Sequence, residues 1–213
     1  MPPKKQLEMI MSKRKLIPVL LLTGFLASMN GCLLHPSIQG NGRITSNERK
    51  ADNFDSVRLD GVADYVNIHQ AGTHKVIVTT DSNIQDIVKV SVDGNVLRID
   101  EKKIHGGFDA TKLAIDVYMP EISGIILKGV GNIRVDDGSA SDLELVLSGV
   151  GDIDARRCEA EYVQVRLSGV GDIRTWATQS LTGSLSGVGD IYYRGEPAVN
   201  SISKSGVGAV KKM

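Results

Sequence analysis

The heptapeptide LSGVGDI occupies Leu147–Ile153, recurs at Leu167–Ile173, and recurs again at Leu185–Ile191. A looser copy, Gly129-Val130-Gly131-Asn132-Ile133, precedes these, and a decayed one, Gly206-Val207-Gly208-Ala209-Val210, follows. Successive Gly-Val-Gly starts are 20, 20, 18 and 19 residues apart. Near-constant spacing of this length marks a repeat architecture in which each unit buries its apolar face only against its neighbours. A fainter version, Leu59-Asp60-Gly61-Val62-Ala63-Asp64-Tyr65, stands upstream.

Two glycines in five positions exclude helix as the main content of a repeat. The intervening segments alternate: Leu143, Leu145 and Leu147 share one side, as do Val163, Val165 and Leu167 one repeat later. These are strands. Stacking equal letters at about 4.8 Å aligns Leu127, Leu147, Leu167 and Leu185 in one inner row and Ile133, Ile153, Ile173 and Ile191 in another. The expected fold is all-β, a right-handed single-domain β-solenoid with windings of 18–20 residues. Glycine in a strand implies a corner or a backbone path that a β-carbon would block, so Gly-Val-Gly is read as the bend, with polar segments such as Asp154–Arg157 as the next turn. The last repeat places Lys204 where the others have leucine and ends in Lys211-Lys212, which reads as a polar cap.

The phrase is a poor phosphate cradle. A Gly-x-Gly-x-x-Gly loop needs a third glycine, and Arg134, Asp154, Arg174, Tyr192 and Lys211 stand in its place. Calcium is the stronger challenger, because Asp152, Asp172 and Asp190 would stack. Calcium-binding rolls use a nine-residue Gly-Gly-x-Gly-x-Asp repeat, however, and exposed carboxylates about 5 Å apart repel by only about 1 kcal/mol in water. Solvated aspartates bonded to nearby amides, as in Asx turns, are the expectation. The row Ser148, Ser168, Ser186 and Ser205 reads as outward hydroxyls.

Upstream, Phe54–Leu59, Ala63–His69, Lys75–Thr80, Val88–Val92, Val96–Asp100 and Leu113–Tyr118 alternate as strands, with Asp93-Gly94-Asn95 as a hairpin turn. A short helical turn is expected at Asn83–Ile87. This half reads as a less regular continuation of the same stack.

Twenty-five basic residues balance twenty-five acidic ones, so no global field steers nucleic acid to the chain. With three Phe, five Tyr and one Trp, the core must be aliphatic. Lys13, Arg14 and Lys15 precede the apolar run Leu16–Ala27, far shorter than the roughly 20 residues needed to span a bilayer, so it reads as a signal segment. Met11 would give a compact leader if translation began there; Met9 is the other internal start. The run ends at Met29-Asn30-Gly31-Cys32, which resembles the lipobox of bacterial lipoproteins, with Met29 in the usual leucine position and Asn30 larger than the usual residue. That resemblance implies residues 1–31 as signal peptide, Cys32 as the lipidation site, and two or three acyl chains as a stable membrane anchor. Residues 32–52 are expected to be a lipidated, flexible tether, and residues 53–213 the folded domain.

Cys158 is then without a partner and reads as a small buried filler. The four histidines lack metal-ligand spacing, and neither a cofactor nor a metal is expected. Trp176, Tyr192 and Tyr193 follow successive repeats and form the candidate ligand surface, able to stack a sugar ring, although packing over the edge of the repeats accounts for them too.

The succession Phe54-Asp55-Ser56-Val57, Gly61-Val62-Ala63-Asp64-Tyr65-Val66-Asn67-Ile68, Val96-Leu97-Arg98-Ile99 and the Ser-Gly-Val-Gly-Asp-Ile repeats resembles the putative auto-transporter adhesin family with its head GIN domain, over about residues 53–210. The resemblance implies an exported or lipid-anchored bacterial protein that binds rather than catalyses, and it assigns no residue. The expected function is a cell-envelope adhesion module on an outer-membrane lipoprotein. Its partners are the membrane, through the anchor, and a surface polysaccharide or protein, not nucleic acid. The alternatives are a β-helix polysaccharide-active enzyme, which needs clustered carboxylates in a groove, and a structural envelope protein without a ligand.

Overall fold

A computed structural model describes residues 37–213. The leader and Cys32 lie outside the described residues. The chain runs through β1 (Ile38–Gln39), β2 (Ile44–Arg49), β3 (Ser56–Leu59), β4 (Val62–Gln70), β5 (Lys75–Asp81) and β6 (Val88–Asp93). It continues through β7 (Val96–Glu101), β8 (Phe108–Asp109), β9 (Leu113–Met119), β10 (Gly124–Leu127) and β11 (Val130–Leu147). The last strands are β12 (Ile153–Leu167), β13 (Ile173–Leu185), β14 (Ile191–Arg194), β15 (Val199–Lys204) and β16 (Val210–Lys212).

The fold is all-β, and fourteen of the strands join one mixed sheet. Its repeat half follows the sequence letter for letter. β11, β12 and β13 run parallel, β11 with β12 in one register and β12 with β13 across an irregularity, and they pair Leu147 with Leu167 and Leu167 with Leu185. Ile133, Ile153, Ile173, Ile191 and Val210 form a second continuous row. The four leucines from Leu127 to Leu185 are fully buried, and so is each isoleucine of the second row to within 1%. Each repeat thus supplies the apolar wall that its neighbour lacks.

The Gly-Val-Gly segments interrupt the strands, as a corner should. At Gly171 φ is +133°, a region that L side chains rarely adopt, and a β-carbon there would lie 2.0 Å from the carbonyl oxygen of Gly151. The glycines permit a close backbone stack, closed by bonds such as Val170 N–H to Gly149 O at 2.9 Å.

Three expectations are corrected. First, the upstream half does more than continue the repeat stack less regularly: β2 pairs with β5 and β5 with β9, antiparallel, as does the expected hairpin of β6 with β7. β9 lies between the sequence neighbours β4 and β5, so the Gln70–Thr73 turn joins strands that do not pair with each other. The Asp93–Val96 connection is a true hairpin, with Gly94 at φ +63°.

Second, the tether does not extend to residue 52. β1 pairs with β8, and β2 pairs with β5 over six residues. Asp81, fully buried, holds this segment in place. Its Oδ1 accepts the Gly42 N–H at 2.6 Å and its Oδ2 the Thr111 N–H at 2.7 Å. Gln85 adds bonds to the carbonyls of Thr45 and Val78. It sits in the turn at 82–87, where the Gln85 N–H reaches the Asp81 carbonyl.

Third, Asp154–Arg157 is not a turn between strands but lies inside β12. Between β12 and β13 the register jumps from Ala155 opposite Thr175 to Glu159 opposite Trp176. Residues 156–158 are therefore unmatched; a second shift, from Ala160 opposite Ala177 to Tyr162 opposite Ser180, returns one residue, and together the two irregularities shorten the 20-residue period to 18. At the far end β15 and β16 pair only with β13 and β14, and Lys204, opposite buried Leu185, is exposed.

Candidate functional site

Strand parity places every other residue after the second glycine outward. The outward positions align, strand by strand, as Asp116, Asn67, Arg134, Asp154, Arg174, Tyr192 and Lys211. Asn67 Nδ2 donates to Asp116 Oδ1 at 2.9 Å, and an Arg134 nitrogen donates to Asn67 Oδ1 at 3.2 Å. Arg156 binds Asp154 through two nitrogens at 2.9 and 2.6 Å. Burial pushes the Asp154 carboxyl up, but the Arg156 hydrogen bonds and charge outweigh it and hold the group below the ordinary value.

The aspartate row is a seam between repeats. The Asp172 N–H donates to Asp152 Oδ1 at 2.8 Å, the Asp190 N–H to Asp172 Oδ1 at 2.8 Å, and the Ala209 N–H to Asp190 Oδ1 at 2.7 Å. Asn132 opens the row in the same way, accepting the Asp152 N–H at 3.2 Å. The expectation of local Asx turns is therefore corrected, since each side chain reaches an amide one repeat away. Arg174 bridges Asp152 and Asp172 at 3.0 and 2.8 Å, and Lys211 sits 2.6 Å from Asp190. Hydrogen bonds from Lys211, Tyr192 and the Ala209 N–H pull Asp190 down to about 2. These cations offset the repulsion within the row. Among the described residues no three His, Cys, Asp or Glu side chains gather as metal ligands.

Of the three aromatic residues singled out by sequence, Trp176 and Tyr192 lie outward in neighbouring columns. Tyr193 does not join them: it aligns with buried Thr175 and packs against the core. The Tyr192 ring has the Arg174 guanidinium at 5.3 Å on one side of the register and Lys211 Nζ at 5.4 Å on the other. The Arg194 guanidinium lies over Trp176, 3.9 Å from the ring centroid.

Beside this aromatic pair opens a cleft of about 610 Å³, lined in part by Arg134, Asp154, Arg156, Arg157 and Arg194. Sequence reading missed it, because its lining runs from Arg134 to Met213 and the register jump at 156–158 places Arg156 and Arg157 where no periodicity predicts them. Cys158, in the same bulge, points into the core, where burial, with Asp137's charge, pushes its thiol up to about 11. A second feature was also missed. Val62, Val130, Val150, Val170, Val188 and Val207 align through successive parallel pairings, each 47–70% exposed, as an apolar ridge between the glycine rows.

The family model for "Putative auto-transporter adhesin, head GIN domain" matches residues 53–137 and 127–197, which is more than half of the chain. The chain belongs to this family. A crystal structure of a putative adhesin from Bacteroides fragilis is similar over 83% of this chain and 100% of its own, with 24% identity and a TM-score of 0.54, which speaks to the fold. A putative adhesin from Parabacteroides merdae aligns over 84% and 99% of the two chains at 19% identity, with a TM-score of 0.40. No curated protein matches.

Proposed function

We propose that this family member is a non-catalytic binding module of the bacterial cell envelope, carried on the outer membrane by lipid on Cys32, with its repeats wound as a right-handed solenoid. The observation that carries the reading is the outward column from Asp116 to Lys211. Its side chains are fixed by bonds to their neighbours, which makes a pre-organised display surface. Family membership supports adhesion, and the Met29–Cys32 segment supports the anchor. Asp154 and Asp190, on or beside this column, are held below the ordinary carboxylate value by Arg156 and by Lys211 and Tyr192, which keeps them charged for display.

Two measurements test the two halves separately. Labelled palmitate should enter the full chain and not Cys32→Ala, and equal labelling of both would refute the anchor. Deleting the gene should reduce attachment of cells to a surface. Unchanged attachment with altered envelope permeability would overturn adhesion in favour of a structural role.

A further inference from the structure

The ion pairs around the cleft leave two cations over. Arg134 is matched by Asp136 at 2.8 Å and Arg156 by Asp154 at 2.6 Å. Arg157 and Arg194 have no carboxylate partner within 4.0 Å among the described residues. Arg157 reaches only the carbonyl oxygen of Asp136, at 3.5 Å, and Arg194 is held flat on Trp176. Both are exposed. A planar guanidinium, pre-ordered by stacking or by a bulge and spared an internal ion pair, is suited to two-pronged capture of an oxyanion.

Three independent features converge here. The unmatched residues 156–158 set Arg156 and Arg157 at the mouth of the cleft. Its volume of about 610 Å³ lies in the range that holds an organic ligand, not just a single inorganic ion. The cations beside the cleft stand on different strands, Arg134 on β11, Arg156 and Arg157 on β12 and Arg194 on β14, with strands about 4.8 Å apart. Cations spread over several strands can meet successive anionic groups of one extended polymer, which a single compact anion would not do. The balanced total charge gives no broad positive field of the kind that gathers nucleic acid.

We propose that the Arg157–Arg194 cleft binds an acidic polysaccharide, gripping its carboxylate or sulfate groups while the chain lies along the repeats. This rests on the envelope-binding reading and names its ligand class. The test uses the full chain in detergent with polygalacturonate and dextran sulfate as probes, neutral dextran as the uncharged counterpart, and inorganic sulfate as competitor. Binding of at least one acidic polymer and not of dextran is expected. Arg157→Gln and Arg194→Gln should each weaken it about 10-fold and the double variant about 100-fold. Arg166→Gln, which breaks an exposed pair with Glu144 elsewhere on β12, should leave it unchanged. Arg194→Lys keeps the charge and loses the flat stack, so it should fall between wild type and Arg194→Gln.

Several results would overturn the proposal: no binding of either acidic polymer, equal binding by the double variant, equal loss in Arg166→Gln, or displacement by inorganic sulfate at equal oxyanion concentration. Equal binding of duplex DNA or of anionic vesicles would do the same. A double variant that loses polymer binding while its cells still attach sinks adhesion through this cleft and leaves the envelope reading standing. Deletion without an attachment defect sinks the envelope reading itself.

Discussion

Replacing Gly171 with alanine tests whether the repeated phrase exists to let backbones stack. The new β-carbon would stand 2.0 Å from Gly151 O and 2.7 Å from Gly151 C, against ordinary contact beginning at 3.4 Å. The two repeats must therefore part locally by about 1.4 Å, the difference between those figures. Val170 N–H to Gly149 O at 2.9 Å and Asp172 N–H to Asp152 Oδ1 at 2.8 Å flank the site, and that displacement takes both past hydrogen-bond range. Losing them costs about 1 kcal/mol each. Holding alanine at φ +133° adds about 1–3 kcal/mol. The total of about 3–5 kcal/mol corresponds, at about 2–4 °C per kcal/mol for a domain of this size, to a fall in Tm of about 6–20 °C by calorimetry. Ser148→Ala, at an exposed hydroxyl on the neighbouring row, should stay within about 0.5 kcal/mol of wild type. A Gly171→Ala protein melting within about 2 °C of wild type would refute the reasoning, because a backbone stack that tight cannot absorb a methyl group without loss.

Leu167→Ala removes the centre of the fully buried leucine row and should cost about 2–5 kcal/mol in chemical denaturation, with a smaller loss counting against a shared interior. Asp190 is held at about 2 in the folded chain against an ordinary 3.8, so its contribution is full above the ordinary value and is lost as pH falls from 3.8 toward 2. Asp190→Asn should flatten the dependence of the urea midpoint on pH across that window, and an unchanged slope would show that the Lys211 and Tyr192 bonds do not hold the charge. Cys158, buried and with its thiol pushed up to about 11, should resist a maleimide in the native Cys32→Ala chain at neutral pH and react once urea unfolds it. Rapid native labelling would contradict its inward placement.

The parts of this fold that were legible in sequence are those whose partners are copies of themselves. Leu147 and Leu167 pair because the same letters recur at a fixed interval, so periodicity carries register along with strand identity. β2 offers no such signal. Its sequence, Ile-Thr-Ser-Asn-Glu-Arg, is largely exposed and polar, and it is held by main-chain bonds to β5 and by Gln85, 40 residues away. The insertion of β9 between β4 and β5 is equally long-range. At the candidate site, the position of Tyr193 was readable: Ile191 points inward in every aligned repeat, so Tyr193, two residues on, must point inward too, leaving Tyr192 and Arg194 outside. The exposed valines follow from the same parity, since a residue between two glycines that stack backbone on backbone has only the outer side left to it. The arginine cleft lay beyond such counting. A net shortening by two residues says that something is unmatched, but only the pairing shows that three residues, Arg156, Arg157 and Cys158, are skipped on β12 and that one is regained on β13 before Ser180. Local chemistry then turns the thiol in and the two cations out. Irregularity in an otherwise regular repeat is therefore where this chain departs from what stacking alone requires, and it is there that unpaired Arg157 stands, on the cleft it shares with Arg194.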